Sequence, residues 1–220
     1  AATAAYTAAA AATAAAGDDT AAATLATTAD TQATAASASV TTATAEAALD
    51  RTAKAITLSD TADTGNGFVG GIGQDQFNGA IVGAGAAGTT LQAGDQLNGG
   101  AGSDTLQVSI TGAAGTFSAL GVQSTGIENI SVNSYSSTAG PVTIDAALMT
   151  GLETIKLGAS TITGDLALSN VTGILTASMA NGLGDLGIGY TAATIAGTND
   201  VQTVALSNVT GGAFTANGVE

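Results

Sequence analysis

The chain has no cysteine, no histidine and no tryptophan, a single proline, and only 3 Lys or Arg among 220 residues. Each absence closes a class of function. Without His and Cys there is no Ser-His or Cys-His nucleophile, no His-ligated metal, no thiolate zinc site and no disulfide. Set against 17 Asp and Glu, the few cations leave a net charge of −14, whereas nucleic acid and anionic membrane surfaces both call for Lys and Arg. Aromatics are 3% of the residues, too few to line an ordinary small-molecule pocket. No run approaches the roughly 20 strongly apolar residues of a membrane span; the most Ala-rich stretch, 1–16, is interrupted by Thr3, Thr7 and Thr13. Chemistry is left to carboxylates, hydroxyls and the backbone.

What is present is distributed unevenly. Ala and Thr make up 40 of the first 55 residues, and 30 of the 31 glycines lie from Gly65 onward. This divides the chain into an Ala/Thr-rich arm or spacer (1–56), a Gly-Asp segment (57–110) and a β-patterned remainder (111–220). The chain starts at Ala1 without Met or a signal-peptide pattern, and Glu220 falls inside a repeating pattern. It reads as a window on a longer polypeptide.

Ala favours helix and Thr disfavours it, so the arm has a net helical bias over 1–16 and about 20–54. Gly17-Asp18-Asp19-Thr20 reads as a stop followed by an N-cap. Large apolar residues are few there (Tyr6, Leu25, Val40, Leu49). An antiparallel hairpin with Ala-rich contact faces is expected, with a disordered low-complexity stalk as the alternative.

The strongest motif is the nonapeptide G-G-x-G-x-D-x-U-x, where U is large and apolar, a calcium-binding β-roll repeat. It occurs as Gly70-Gly71-Ile72-Gly73-Gln74-Asp75-Gln76-Phe77-Asn78 and as Gly99-Gly100-Ala101-Gly102-Ser103-Asp104-Thr105-Leu106-Gln107. The glycines permit a tight turn with bare carbonyls, Asp supplies a hard anionic oxygen, and U points inward. Nine residues before each copy lies a degenerate one, carrying Asn66 and Phe68, then Asp95 and Leu97. Asp60, Asp63, Asp75, Asp95 and Asp104 are accompanied by no Lys or Arg between them. Stacked, they require a cation, and Ca2+ is the expected one. Its candidate ligands are Asp75, Asp104, Asp95, Asp63 and Asn66, with the carbonyls of Gly70, Gly71, Gly73, Gly99, Gly100 and Gly102. Since each nonapeptide is half a coil, Asp75 should stack on Asp104, and Asn66 with Asp63 should lie beside Asp95 on the opposite side, with residues 79–89 looped out.

These repeats resemble the repeats-in-toxin (RTX) calcium-binding family of secreted Gram-negative proteins, and the stretch from Asp75 to Leu106 resembles the surface-layer proteins and large adhesins of that family. The resemblance is good over about 57–160. It implies type I secretion in the unfolded state, folding outside the cell on meeting calcium, and a structural or adhesive role at the cell surface.

Beyond residue 110 a second repeat begins. Thr125-Gly126-Ile127-Glu128-Asn129-Ile130-Ser131-Val132 returns as Thr150-Gly151-Leu152-Glu153-Thr154-Ile155-Lys156-Leu157, then more weakly from Thr172 and from Asn199. A period of 20 to 30 with alternating apolar residues means coils of an irregular β-solenoid. The expected fold is mainly β, a parallel β-solenoid of calcium-binding β-roll turns followed by irregular β-helix coils, with an N-terminal helical segment.

Three other patterns have plainer readings. Gly83-Ala84-Gly85-Ala86-Ala87-Gly88 matches a dinucleotide fingerprint, but Gly94, Gly99 and Gly100 break the helix it must open. Glu128 and Glu153 could be a glycosidase carboxylate pair; with only Lys156 nearby, they are expected to be solvated or stacked positions without a role at the turns. The sequons at Asn129, Asn170 and Asn208 are chance matches in an Asn- and Thr-rich chain. No enzyme is expected. The functional expectation is a secreted, calcium-stabilised, self-assembling structural component of a bacterial surface layer, extracellular matrix or filament. Its partners are copies of itself and cell-surface polysaccharide, with no nucleic acid and no membrane span. The alternatives are an adhesin segment binding a glycan or host surface, and a polysaccharide-processing β-helix.

Overall fold

The computed structural model describes residues 7, 19–83, 87–115, 117–119, 121–197 and 200–219. The chain divides after Asp50 into two compact units.

In the first unit a single helix, α1 (Asp19–Asp50), runs 32 residues, about 48 Å at 1.5 Å per residue. Its Thr and Ser side chains turn back on the helix. Thr27, Thr28, Thr31, Thr34, Ser39, Thr41, Thr42 and Thr44 each donate to the carbonyl four residues earlier, at 2.8 to 3.1 Å. The hydroxyls are thus satisfied within the helix and need no partner outside it. Leu25 and Val40 are exposed. The second helix of the expected hairpin, over 1–16, lies outside the described residues except for Thr7. No helix among the described residues is long and apolar enough to cross a membrane.

The second unit is a parallel β-solenoid of about six turns. Its strands are β1 (Ala55–Thr57), β2 (Val69–Gly71), β3 (Gln76–Ile81), β4 (Gln96–Gly100), β5 (Thr105–Gly112), β6 (Ser118–Ala119), β7 (Gln123–Thr125), β8 (Asn129–Ser136), β9 (Val142–Asp145), β10 (Met149–Thr150), β11 (Thr154–Ser160), β12 (Leu166–Val171), β13 (Thr176–Ala180), β14 (Leu186–Tyr190), β15 (Thr203–Ser207) and β16 (Phe214–Ala216). One sheet runs the whole length in the order β1-β3-β5-β8-β11-β13-β15. A second, β2-β4-β7-β10, faces it only in the early coils; a third, β6-β9-β12-β14-β16, enters at β6 and continues to the end. The coil therefore begins with two sheets, passes through three, and ends with two. That is the expected change from β-roll to irregular β-helix.

Register follows the sequence repeats. Thr125 pairs with Thr150, Asn129 with Thr154, Thr154 with Thr176, and Thr176 with Thr203. Alternation then puts identical positions in columns. Phe77, Leu106, Ile130, Ile155 and Ala177 form one buried column, and Val108, Val132, Leu157 and Met179 a second. In the third sheet Ala119, Ile144, Leu168 and Ile188 do the same. Against the expectation of a loop over 79–89, Gly79, Ala80 and Ile81 extend β3, because their alternation continues onto Val108, Ser109 and Ile110. The loop starts at Val82 and closes on itself through Thr89, whose hydroxyl accepts from Val82 N and donates to Gly83 O. Among the described residues it leads to β4 with no helix; residues 84–86 of the glycine fingerprint lie outside the described residues.

Candidate metal centre

Each turn from the second sheet back into the first ends on the residue just before a long-sheet strand. Register places Lys54, Asp75, Asp104, Glu128 and Glu153 at this level, one per coil. The first four are linked by main-chain bonds to side chains. Lys54 N donates to Asp75 Oδ1 at 2.6 Å, Asp75 N to Asp104 Oδ1 at 2.6 Å, and Asp104 N to Glu128 Oε2 at 2.8 Å. Asp75 and Asp104 are thus on one side and in direct contact, as the half-coil count requires.

The glycines of the two nonapeptides stack as well. Gly71 pairs with Gly100, and Ala101 N donates to Gly71 O at 2.8 Å. The packing leaves no room for a side chain. A Cβ on Gly70 would overlap Gly99 O and Asp75 Oδ2; one on Gly99 would overlap Gly126 O and Asp104 Oδ2; one on Gly102 would overlap Gly73 O. Gly100 in addition has φ +94, a conformation L side chains avoid. The motif glycines are needed because a carbonyl oxygen and a carboxylate oxygen are brought against the same bare Cα.

On the opposite side Asp95 lies level with Asp63. Asp63 N donates to Asp95 Oδ1 at 3.0 Å, and Gln96 N to Asp63 O at 2.7 Å. Asn66, by contrast, opens a short 3-10 turn (Asn66–Phe68) and is exposed. The turn takes up the residues that a nine-residue count would have placed at the level of Asp95. All four carboxylate oxygens here have donors: Ser59 N and Oγ at 2.8 and 2.5 Å for Asp63, and Asp63 N and Gln92 N, the latter at 2.8 Å, for Asp95.

The Asp75 side is different. Asp63, Asp75, Asp95 and Asp104 are all buried, and Asp104 Oδ2 has no hydrogen-bond partner among the described residues. A buried anionic oxygen without a donor is costly. Burial raises the Asp104 carboxyl above the ordinary aspartate value of 3.8; the N–H of Asp75 opposes the rise, and the charges of Asp75 and Glu128 add to it. Burial also raises Asp95, with the charge of Asp63 adding to the effect against the N–H groups of Gln92 and Asp63.

No three Asp or Glu among the described residues gather on one point. What converges, at Gly70 and again at Gly99, is one carboxylate oxygen and one carbonyl oxygen, ligands of the kind a hard cation takes. The orphaned Asp104 Oδ2 and the bare Gly99 beside it fit such an ion. Asp104, the carbonyl of Gly126 and the glycine carbonyls of the turns would hold it, and it would neutralise charge that the fold has buried. Sequence reasoning missed two members of the column, Lys54 and Glu128. Both precede an alternating strand as Asp75 and Asp104 do, which was the available signal. Asn170 and Asn208, flagged by their sequons, have φ of 55 and 52, a left-handed conformation that Asn tolerates.

Comparison with protein families, with curated proteins and with solved structures yields no match to this chain.

Proposed function

We propose that this chain is a calcium-stabilised structural segment of a secreted bacterial surface layer, extracellular matrix or filament that assembles with copies of itself, and that it has no catalytic role. The observation that carries the proposal is the column Asp75–Asp104–Glu128, with Asp104 Oδ2 buried and unpartnered. Such a column is unfavourable where free calcium is scarce and favourable where it is abundant. A fold conditional on calcium suits a chain that leaves the cell unfolded, by the type I route its turns resemble, and folds outside.

The last described coil leaves an apolar strand uncovered. β15 is exposed along its whole length, with Leu206 62% and Val204 37% accessible. These residues stack on Met179 and Ala177 on one side, and a further layer from the same or another chain would cover the other. One edge of β15 also leaves main-chain groups unpaired by any strand here, a template for edge pairing. Electron microscopy of the purified protein tests the reading: ordered sheets or filaments are expected with calcium and dispersed particles in chelator. Monodisperse particles in both conditions, binding a glycan array, would replace it with an adhesin.

A further inference from the structure

The column of stacked turns contains three successive intervals in which one rung's side chain meets the glycine carbonyl of the next, and the chain fills them differently. In the first, Lys54 Nζ donates to Gly70 O at 2.6 Å. In the second, Asp75 Oδ2 and Gly99 O converge on the bare Cα of Gly70; in the third, Asp104 Oδ2 and Gly126 O converge on that of Gly99. Register makes the three equivalent, since Val69 pairs with Asn98 and Asn98 with Thr125, which brings Gly70, Gly99 and Gly126 into line. At Gly126 the arrangement changes, because the atoms nearest a Cβ there belong to Gly100 of the preceding turn.

Where the chain supplies a positive group, a carbonyl accepts from it. In the third interval two acceptors face each other, and no N–H of the described residues reaches Asp104 Oδ2. The N–H of Gly100, the counterpart of the Gly71 N–H that satisfies Asp75 Oδ2 at 2.6 Å, is drawn off to Asn98 Oδ1 at 3.0 Å. Glu128 brings a second carboxylate to the same rung through its bond from Asp104 N.

We infer that the interval between the Asp104 and Glu128 rungs is a divalent-cation site outside the nonapeptide pairing. It is built by Asp104, Glu128 and the carbonyl of Gly126, and Lys54 is the chain's own cation at the equivalent position two intervals earlier. The inference rests on the calcium reading above and extends the ion column into the first irregular coil. Glu128 thereby becomes a ligand-bearing position, not the bystander its sequence context suggested.

The test counts calcium bound per chain by equilibrium dialysis with metal analysis, alongside melting curves with calcium and with chelator. Glu128→Gln keeps an acceptor for Asp104 N–H and removes the charge; it should lose one ion equivalent or weaken one class of site at least tenfold. Glu153→Gln, on the next rung and exposed, should change neither. Lys54→Asp puts a carboxylate opposite Gly70 O and should gain one equivalent. Unchanged binding in both Glu128→Gln and Lys54→Asp, with calcium still taken up by the unaltered chain, would overturn the site and leave the calcium reading standing. A chain that takes up no calcium and melts identically in chelator would overturn that reading itself.

Discussion

The peptide N–H of Asp75 donates a 2.6 Å hydrogen bond to Oδ1 of Asp104, 29 residues further along the chain and one coil away. The same bond recurs from Lys54 to Asp75 and from Asp104 to Glu128. Asp75 and Asp104 therefore each do two jobs: one oxygen ties down the main chain of the preceding turn, and the other lies in the interval beside a glycine. Removing a carboxylate strips a backbone donor as well as a cation ligand. The turns are consequently coupled, and loss of one ion should loosen its neighbours.

Calcium removal is the most direct check of that coupling. At a hundredfold excess over Kd, each site would stabilise the solenoid by about 2.7 kcal/mol, or roughly 5 to 10 °C in a unit of this size. Chelator should lower the melting temperature by at least this much and speed hydrogen exchange first between residues 54 and 130. Asp104→Asn should invert the pattern. Its amide oxygen still accepts from Asp75 N–H, while its NH2 group faces Gly126 O where the ion would lie. The variant should melt higher than the unaltered chain in chelator, by about 1 to 3 kcal/mol, and gain little from calcium. A variant less stable than the unaltered chain in chelator would show that Asp104 Oδ2 is not a source of strain.

The raised carboxyls of Asp104 and Asp95 set the sign of the pH dependence without calcium. An acid whose native value lies above its unfolded value binds more protons when folded, so stability rises as pH falls. The cation-free protein should become more stable from neutral pH down through the raised values toward 3.8, the ordinary aspartate value. With saturating calcium the trend should reverse, because protons and the ion compete for the same oxygens. Melting curves from pH 7 to pH 4 in each condition decide it; parallel pH profiles would refute the competition.

Much of this was legible in the sequence. The nonapeptides placed Asp75 on Asp104 because two full copies fix a half-coil, and the motifs starting at Thr125, Thr150 and Thr172 carry the register that the strands adopt. The members lost to inspection were those whose spacing is irregular. Successive column residues are 21, 29 and 24 apart, so no fixed period reaches Lys54 or Glu128; only the strand that follows each one reveals its level. Counting back nine residues chose Asn66 for the same reason, since the 3-10 turn at Asn66–Phe68 displaces the count and leaves Asp63 opposite Asp95. The alternation at Val142-Thr143-Ile144 and Leu166-Ala167-Leu168 marks two strands of the third sheet in the sequence, but its first strand is only the two residues Ser118 and Ala119, too short to carry a pattern.

Glycine substitutions separate the turn from the scaffold. Gly99→Ala would drive a methyl into Gly126 O and Asp104 Oδ2, whereas a Cβ on Gly173 meets nothing within 4 Å. Gly99→Ala should abolish calcium-induced stabilisation and lower stability even in chelator; Gly173→Ala should stay within about 0.5 kcal/mol of the unaltered chain, as surface substitutions usually do. Retention of a full calcium response in Gly99→Ala would exclude close approach of the two oxygens.

The buried rows contain one further point of strain, remote from the ion column. Along the row that starts with Ile81 and Ile110, the next position is Ser134, followed after a register shift by Ser160. Ser160 Oγ accepts from Gly184 N at 3.1 Å, but Ser134 Oγ is fully buried and has no partner. Its main-chain carbonyl is already used by Thr161 N at 2.9 Å; on one side of the row Ile110 offers nothing to the hydroxyl, and on the other no hydrogen bond among the described residues joins it to Ser160. Replacing it removes an unpaired polar group without opening a large cavity, because only one oxygen atom is lost. Ser134→Ala should therefore stabilise the solenoid by about 1 kcal/mol, equally with calcium and with chelator, since Ser134 takes no part in the turns. Ile155→Ala in the neighbouring column should instead cost about 2 to 5 kcal/mol. Chemical denaturation of both variants checks the pair. A Ser134→Ala variant that loses stability would mean the hydroxyl has a partner, a buried water being the physical candidate.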